Sequence, residues 1–286
     1  MMDILNLLFI ISLLLFFTNE EETYNQKWRA YPACQIGRLQ SPIEIKEYES
    51  IYANNFSFVY QSYNGGRLSN VEDSYALRRD VTNGGYINFE RGGVIKQYQF
   101  KRAELYPALH KIDGDGNDFN FELHLIHEKN LDFVTNKNQY RSIQDANMFL
   151  VIVLRYSVAC KNKACTSDNG LLKEIFPQQI TETSTVNLNK YNVFQDKRAY
   201  FYEGSFVHIP CDENVNYYIV KDFFLFDNSN ISDDDKKNIE NIKISPAEKF
   251  GRPVYKNFMN YREVLGNDYF SFKKILISFL FMLVFL

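Results

Sequence analysis

A chain of 286 residues with 45% hydrophobic and 23% charged side chains has the size and balance of one large globular domain with terminal targeting segments, and is neither disordered nor fibrous. Its net charge of −3 lacks the basic excess that phosphate backbones require, so nucleic acid is not an expected partner. No internal repeat or long low-complexity tract is present.

In chain order, Ile4 to Phe17 is almost wholly apolar and ends in Thr18-Asn19-Glu20-Glu21-Glu22. It falls short of the ~20 apolar residues of a comfortable membrane span and suits the apolar stretch of a signal peptide over residues 1–18. An uncleaved anchor is the rival, because no Lys or Arg precedes it. A single domain is expected over 24–265. Asn55-Phe56-Ser57 and Asn230-Ile231-Ser232 are sequons, offering Asn55 and Asn230 for glycosylation if the chain is secreted.

Strict alternation predicts a strand with Ile95, Gln97, Gln99, Lys101 and Ala103 on one face and Tyr98, Phe100 and Arg102 on the other. A second strand, Phe119 to Lys129, places Glu122, His124 and Ile126 opposite Leu123, Leu125 and His127. The apolar run from Met148 to Tyr156 suits a central strand buried on both faces. Further strands are predicted at Tyr86–Glu90, Arg198–Tyr202 and Tyr217–Phe226. Helices are few: Asn169 to Ile175, and Lys236 to Ile242 behind the capping Ser232 and three aspartates. At the far end, Ile275 to Leu286 is apolar and follows Gly266-Asn267-Asp268, Lys273 and Lys274. Residues 266–286 therefore resemble a glycosylphosphatidylinositol-attachment signal with Asn267 as the attachment point, or a short tail anchor.

Cys160 and Cys165 stand close enough to close a small surface loop. No cysteine spacing resembles a zinc cluster, and disulfides suit an oxidising compartment.

The segment from Gln97 to Asn130 resembles the metal-binding core of the α-class carbonic anhydrases, whose strand pattern QFHFHW is followed by ELHLVH. Here those stretches read Gln97-Tyr98-Gln99-Phe100-Lys101-Arg102 and Glu122-Leu123-His124-Leu125-Ile126-His127. Further matches run in order: Trp28 to Cys34, Gln40-Ser41-Pro42-Ile43, Asn83-Gly84-Gly85, Tyr202 to Cys211, and Gly251-Arg252-Pro253. The resemblance implies a mainly β (α+β) fold: a large twisted, mostly antiparallel sheet with short peripheral helices and a cleft on one face. It also implies a Cys34–Cys211 disulfide.

Zinc hydration chemistry needs three neutral imidazoles and one open position. The resemblance aligns His124 with one ligand and Gln99 and Lys101 with the other two. An ammonium has no lone pair to donate, and an amide oxygen is a poor zinc ligand. The proton-shuttle position falls at Gly85, the hydroxide-orienting threonine at Val207, and the acid that holds it near Leu109. None of these can do that work. His110 matches a structural histidine, His127 faces away by parity, and His208 is expected in the cleft loop within reach of His124. Lys101 is expected to replace the metal's charge by pairing with Glu122 or donating to His124, with Gln97 and Gln99 satisfying their neighbours.

The expectation is a degenerate relative without zinc and without CO2 hydration. It would act as a secreted or surface-anchored binding or structural module for a protein or glycan ligand, held to the membrane through its C-terminal anchor. The competing expectation is an active or residual zinc hydratase with an altered metal site.

Overall fold

A computed structural model describes residues 31, 33–34, 37–53, 56–60, 65–73, 75–115, 119–133, 147–160, 165–177, 179–181, 183–191, 197–227, 231–242, 244 and 251–259. The segments 1–18 and 266–286, with Asn55, Asn230 and Asn267, lie outside these residues.

The principal strands are β1 (Phe56–Tyr60), β2 (Gly66–Val71), β3 (Leu77–Thr82), β4 (Tyr86–Arg91), β5 (Val94–Pro107), β6 (Phe121–Lys129), β7 (Phe149–Ser157), β8 (Ala199–Gly204) and β9 (Val215–Leu225). Among the described residues they join one thirteen-stranded sheet, whose central order is β2-β3-β5-β6-β7-β9-β8. Short two-residue strands extend both of its edges, and β4 pairs with both β1 and β5. Most pairs are antiparallel, as expected, but β7 and β9 run parallel at the centre. That placement explains the unbroken apolar run in β7, since a strand covered on both faces has no solvent side to mark with polar residues. Two short helices flank the sheet, α1 (Leu171–Ile175) and α2 (Asp233–Glu240). The Ser232 side chain caps α2 by accepting from the Asp235 amide, as the sequence signal predicts.

Period-two alternation divides the buried side chains into two cores. Phe100, Ala103, Leu105, Leu123, Leu125, Leu150, Ile152 and Leu154 belong to the larger one. Tyr106, Ile126, Val151, Val153, Tyr202, Val207 and Tyr217 belong to the smaller one on the opposite face. Strict alternation fails at one place in β5. Phe100 pairs with His127 and Arg102 with Ile126, so Lys101 is an extra residue in a bulge. Phe100 and Ala103 consequently share the larger core although an odd number of positions separates them. The predicted common face for Gln99, Lys101 and Ala103 is therefore wrong, and every residue after the bulge takes the opposite parity.

Both expected disulfides are present, Cys34–Cys211 and Cys160–Cys165. Of the family-like segments, Arg252 is tied into the fold by donating to the carbonyls of Glu203, at 3.1 Å, and Gln40.

Candidate functional site

The polar groups of the smaller-core face converge where β5 and β6 pair. On β6, alternation directs Glu122, His124 and Ile126 to this face. Across from them on β5 stand Tyr106, Glu104 and Arg102 respectively. This is a consequence of the bulge, which exchanges the faces of everything beyond Lys101.

Glu122 is the centre of one network. Its carboxylate accepts from the Leu109 amide at 3.2 Å, the His110 amide at 2.6 Å, His110 Nδ1 at 2.8 Å and His124 Nε2 at 3.0 Å. The Tyr202 hydroxyl lies 2.7 Å from His110 Nε2 and 3.0 Å from Ser41 Oγ. All four of Glu122, His110, His124 and Tyr202 are buried. Burial opposes the Glu122 charge, but His110 and His124 outweigh it and hold the carboxyl down at about 2. Burial likewise pushes the His110 imidazole below its ordinary value. The His110 amide and both of its ring nitrogens thus have partners within the fold.

Glu104 is the centre of a second network. Tyr106 donates to its Oε2 at 2.6 Å, and Arg102 Nε lies 2.8 Å from its Oε1 without the alignment of a hydrogen bond. His208 reaches over from the loop after β8, with Nε2 3.6 Å from Glu104 Oε2. His208 Nδ1 sits 2.8 Å from the Ile209 carbonyl, and the ring stacks on Tyr75 at 5.6 Å between centroids. Burial is again outweighed: His208, Arg102 and Tyr106 hold Glu104 at about 2, and Glu104 raises His208. Asp73, on the turn between β2 and β3, completes a group with Glu104 and His208.

Gln99 and Lys101, which the resemblance aligns with the other two zinc ligands, are elsewhere. Gln99 is level with Glu128, roughly 13 Å along β6 from His124 at ~3.3 Å per residue. It donates to the Gly84 carbonyl at 3.1 Å and accepts from Lys101 at 2.7 Å. Lys101 is 40% exposed and pairs with Glu128 at 3.5 Å. The expected pairing of Lys101 with Glu122 or His124 is thus not made, because the bulge carries it away from that level. Gln97 bonds Asn88 and Asn130. Gly85 offers its carbonyl to Phe100, while Leu109 and Val207 are buried in the smaller core.

The described residues do not fit a three-imidazole zinc centre. Among them, His124 has Glu104 as its partner across β5, and its Nε2 is engaged by Glu122. His110, Glu122 and His124 come close to one another, yet their facing atoms are already bonded together. Sequence reading missed Glu104, Arg102, Tyr106, Asp73 and Tyr75. The signal for three of them is visible in Arg102-Ala103-Glu104-Leu105-Tyr106, where polar and apolar residues alternate with a phase that restarts at Arg102.

Comparison with known proteins agrees with this architecture. The family model described as eukaryotic-type carbonic anhydrase matches residues 23–265. "Carbonic anhydrase 6" of Mus musculus is 21% identical, with 91% of this chain and 86% of that protein covered. "Alpha carbonic anhydrase 8" of Arabidopsis thaliana is 24% identical over 70% of this chain, which spans only 46% of that protein's length. The solved α-carbonic anhydrase of Thermovibrio ammonificans, in complex with sulfanilamide, superposes with a TM-score of 0.55 at 18% identity, covering 79% of this chain and 90% of that one. The family model's match over residues 23–265 places this chain in the eukaryotic-type carbonic anhydrase family.

Proposed function

We propose that this chain is a carbonic-anhydrase-fold protein that does not hydrate CO2 and holds no catalytic zinc at His124. It serves as a binding or structural module in the secretory pathway or at the cell surface. The carrying observation is the pairing of Glu104 with His124, with His124 Nε2 committed to Glu122. A carboxylate and a guanidinium stand on the strand where imidazoles are needed, so no bound water would be ionised near neutral pH by the family's route. The two disulfides support an oxidising destination. The anchor reading rests on the apolar tail from Ile275 to Leu286. No described helix is long and apolar enough to cross a membrane. The ligand is a protein or glycan in this reading.

Family membership favours the competing reading, a residual zinc hydratase with an altered site. Stopped-flow CO2 hydration with zinc-supplemented protein separates the two. The expected result is the buffer rate, unchanged by a sulfonamide; sulfonamide-sensitive turnover abolished by His124→Gln sinks the proposal. Release from membranes by phosphatidylinositol-specific phospholipase is expected, and a retained chain ending at Leu286 rejects the lipid anchor.

A further inference from the structure

We propose that Asp73, Glu104 and His208 form a site for one divalent transition-metal cation, distinct from the His124 position. Their donor atoms lie within 4.8 Å of one another. The observation that points to a ligand is His208, which is 7% exposed and whose Nε2 makes no hydrogen bond. The Ile209 carbonyl, 2.8 Å from Nδ1, fixes a proton on that nitrogen and leaves Nε2 aimed at Glu104 Oε2. A metal-bound imidazole is oriented in this way, by donating its other N–H to a backbone carbonyl.

The separation of Nε2 and Oε2 is 3.6 Å, too long for a hydrogen bond. It is close to the ~3.4 Å that separates two ligands held ~2.1 Å from one tetrahedral zinc. Two lone pairs facing each other in a buried site need a positive charge between them, either a proton on Nε2 or a cation. A proton uses only His208 and Glu104. Asp73 adds a second carboxylate to the same small volume, and a cation uses all three.

The surroundings are built for the same purpose. Tyr106 fixes Glu104 Oε2, Tyr75 stacks on the His208 ring, and the Tyr75 amide holds Asp73 Oδ1 at 2.8 Å. Glu104 Oε1 is buried without a hydrogen bond. Arg102 and Arg78 are close and weaken the attraction, but Asp80 also pairs with Arg78 at 2.7 Å. Three carboxylates (Asp73, Asp80, Glu104) against two guanidiniums leave the cluster net negative. The Asp73 side chain is 11% exposed, so the site opens towards solvent on that side. One imidazole and two carboxylates suit zinc, with manganese the weaker binder by the usual order of divalent affinities.

The test is calorimetric titration of the purified, chelator-treated full chain with zinc chloride, joined to zinc-edge X-ray absorption. One zinc per chain is expected, with one imidazole and oxygen ligands. Asp73→Asn and His208→Gln should each weaken binding by about tenfold or more, and His124→Gln by less than about threefold. Asp73 lies on a turn and its variant retains the fold if His208→Gln does not. Absence of uptake means the gap holds only a proton and overturns the site, leaving the proposed function standing. Two or more imidazoles on the zinc, or binding indifferent to Asp73→Asn, also overturns it. CO2 hydration by the loaded chain would instead sink the proposed function and leave this site intact.

Discussion

His124 and His127 stand on the same strand and face opposite cores, and their surroundings differ in kind. His127 belongs to the larger core. The Tyr60 hydroxyl lies 2.7 Å from its Nε2, the Leu125 carbonyl 2.9 Å from its Nδ1, and Phe100 packs at 5.2 Å. Every polar atom of that ring has a partner, and burial pushes its pKa down to about 4. On the other face, Glu122 engages His124 Nε2, but the neighbouring network leaves Arg102 Nε, Glu104 Oε1 and His208 Nε2 buried without hydrogen bonds. An unmade hydrogen bond inside a protein is costly, so native folds keep such groups where a ligand, an ion or a proton completes them. The His127 ring is finished as structure. The network around Glu104 retains buried polar atoms that no protein group completes.

The largest expected effect comes from breaking the settled part of the smaller-core face. Glu122→Leu removes the acceptor of two backbone amides and two imidazoles, and should cost about 3–5 kcal/mol in urea unfolding. A loss below about 1 kcal/mol would mean that the network is not what holds His110 and His124.

Acid sharpens the comparison from the other face. His127 has a folded pKa of about 4 against 6.5 unfolded, so the unfolded chain binds more protons between those values. Its contribution is complete above about 6.5 and is lost as the pH falls towards 4, amounting to about 3 kcal/mol. His110, also pushed down by burial, acts in the same sense. Glu122 and Glu104, held at about 2, lose their contributions only below the ordinary carboxylate range. Denaturant midpoints measured from pH 7 to pH 4.5 should fall less steeply in His127→Phe than in the parent. An identical slope would show that His127 is protonated without cost.

The smallest effect is expected at the residue that the sequence makes most conspicuous. Lys101 is part exposed and paired with Gln99 and Glu128, so Lys101→Met should change stability by less than about 1 kcal/mol. For the same reason, Gln99→His combined with Lys101→His should not create a zinc site with His124. Zinc uptake by that double variant with three imidazoles in its absorption spectrum would show that the bulge is not where this structure places it.

Much of this molecule was legible from local pattern. Alternation located β4, β6, β7, β8 and β9 to within a few residues, and Ser232 with its aspartates announced α2. The parity of β6 correctly separated His124 from His127, because nothing interrupts that strand. The family-like segments pointed to the Cys34–Cys211 bridge. What could not be read was the phase of β5. The only mark of the bulge is that the alternation restarts its phase at Arg102, and with no glycine or proline beside it that restart does not show which residue is the extra one. The bulge arises because Phe100 and Ala103 must both reach the larger core while β5 stays paired with β6. That single extra residue sends Lys101 out to Glu128 and brings Glu104 to His124. That three imidazoles cannot gather on β5 and β6 was already fixed by composition, since those strands hold only His124 and His127. Which side chains meet His124 follows from the fold, because a one-residue change of register exchanges the faces of everything beyond it, and because His208 and Asp73 arrive from loops distant in the chain.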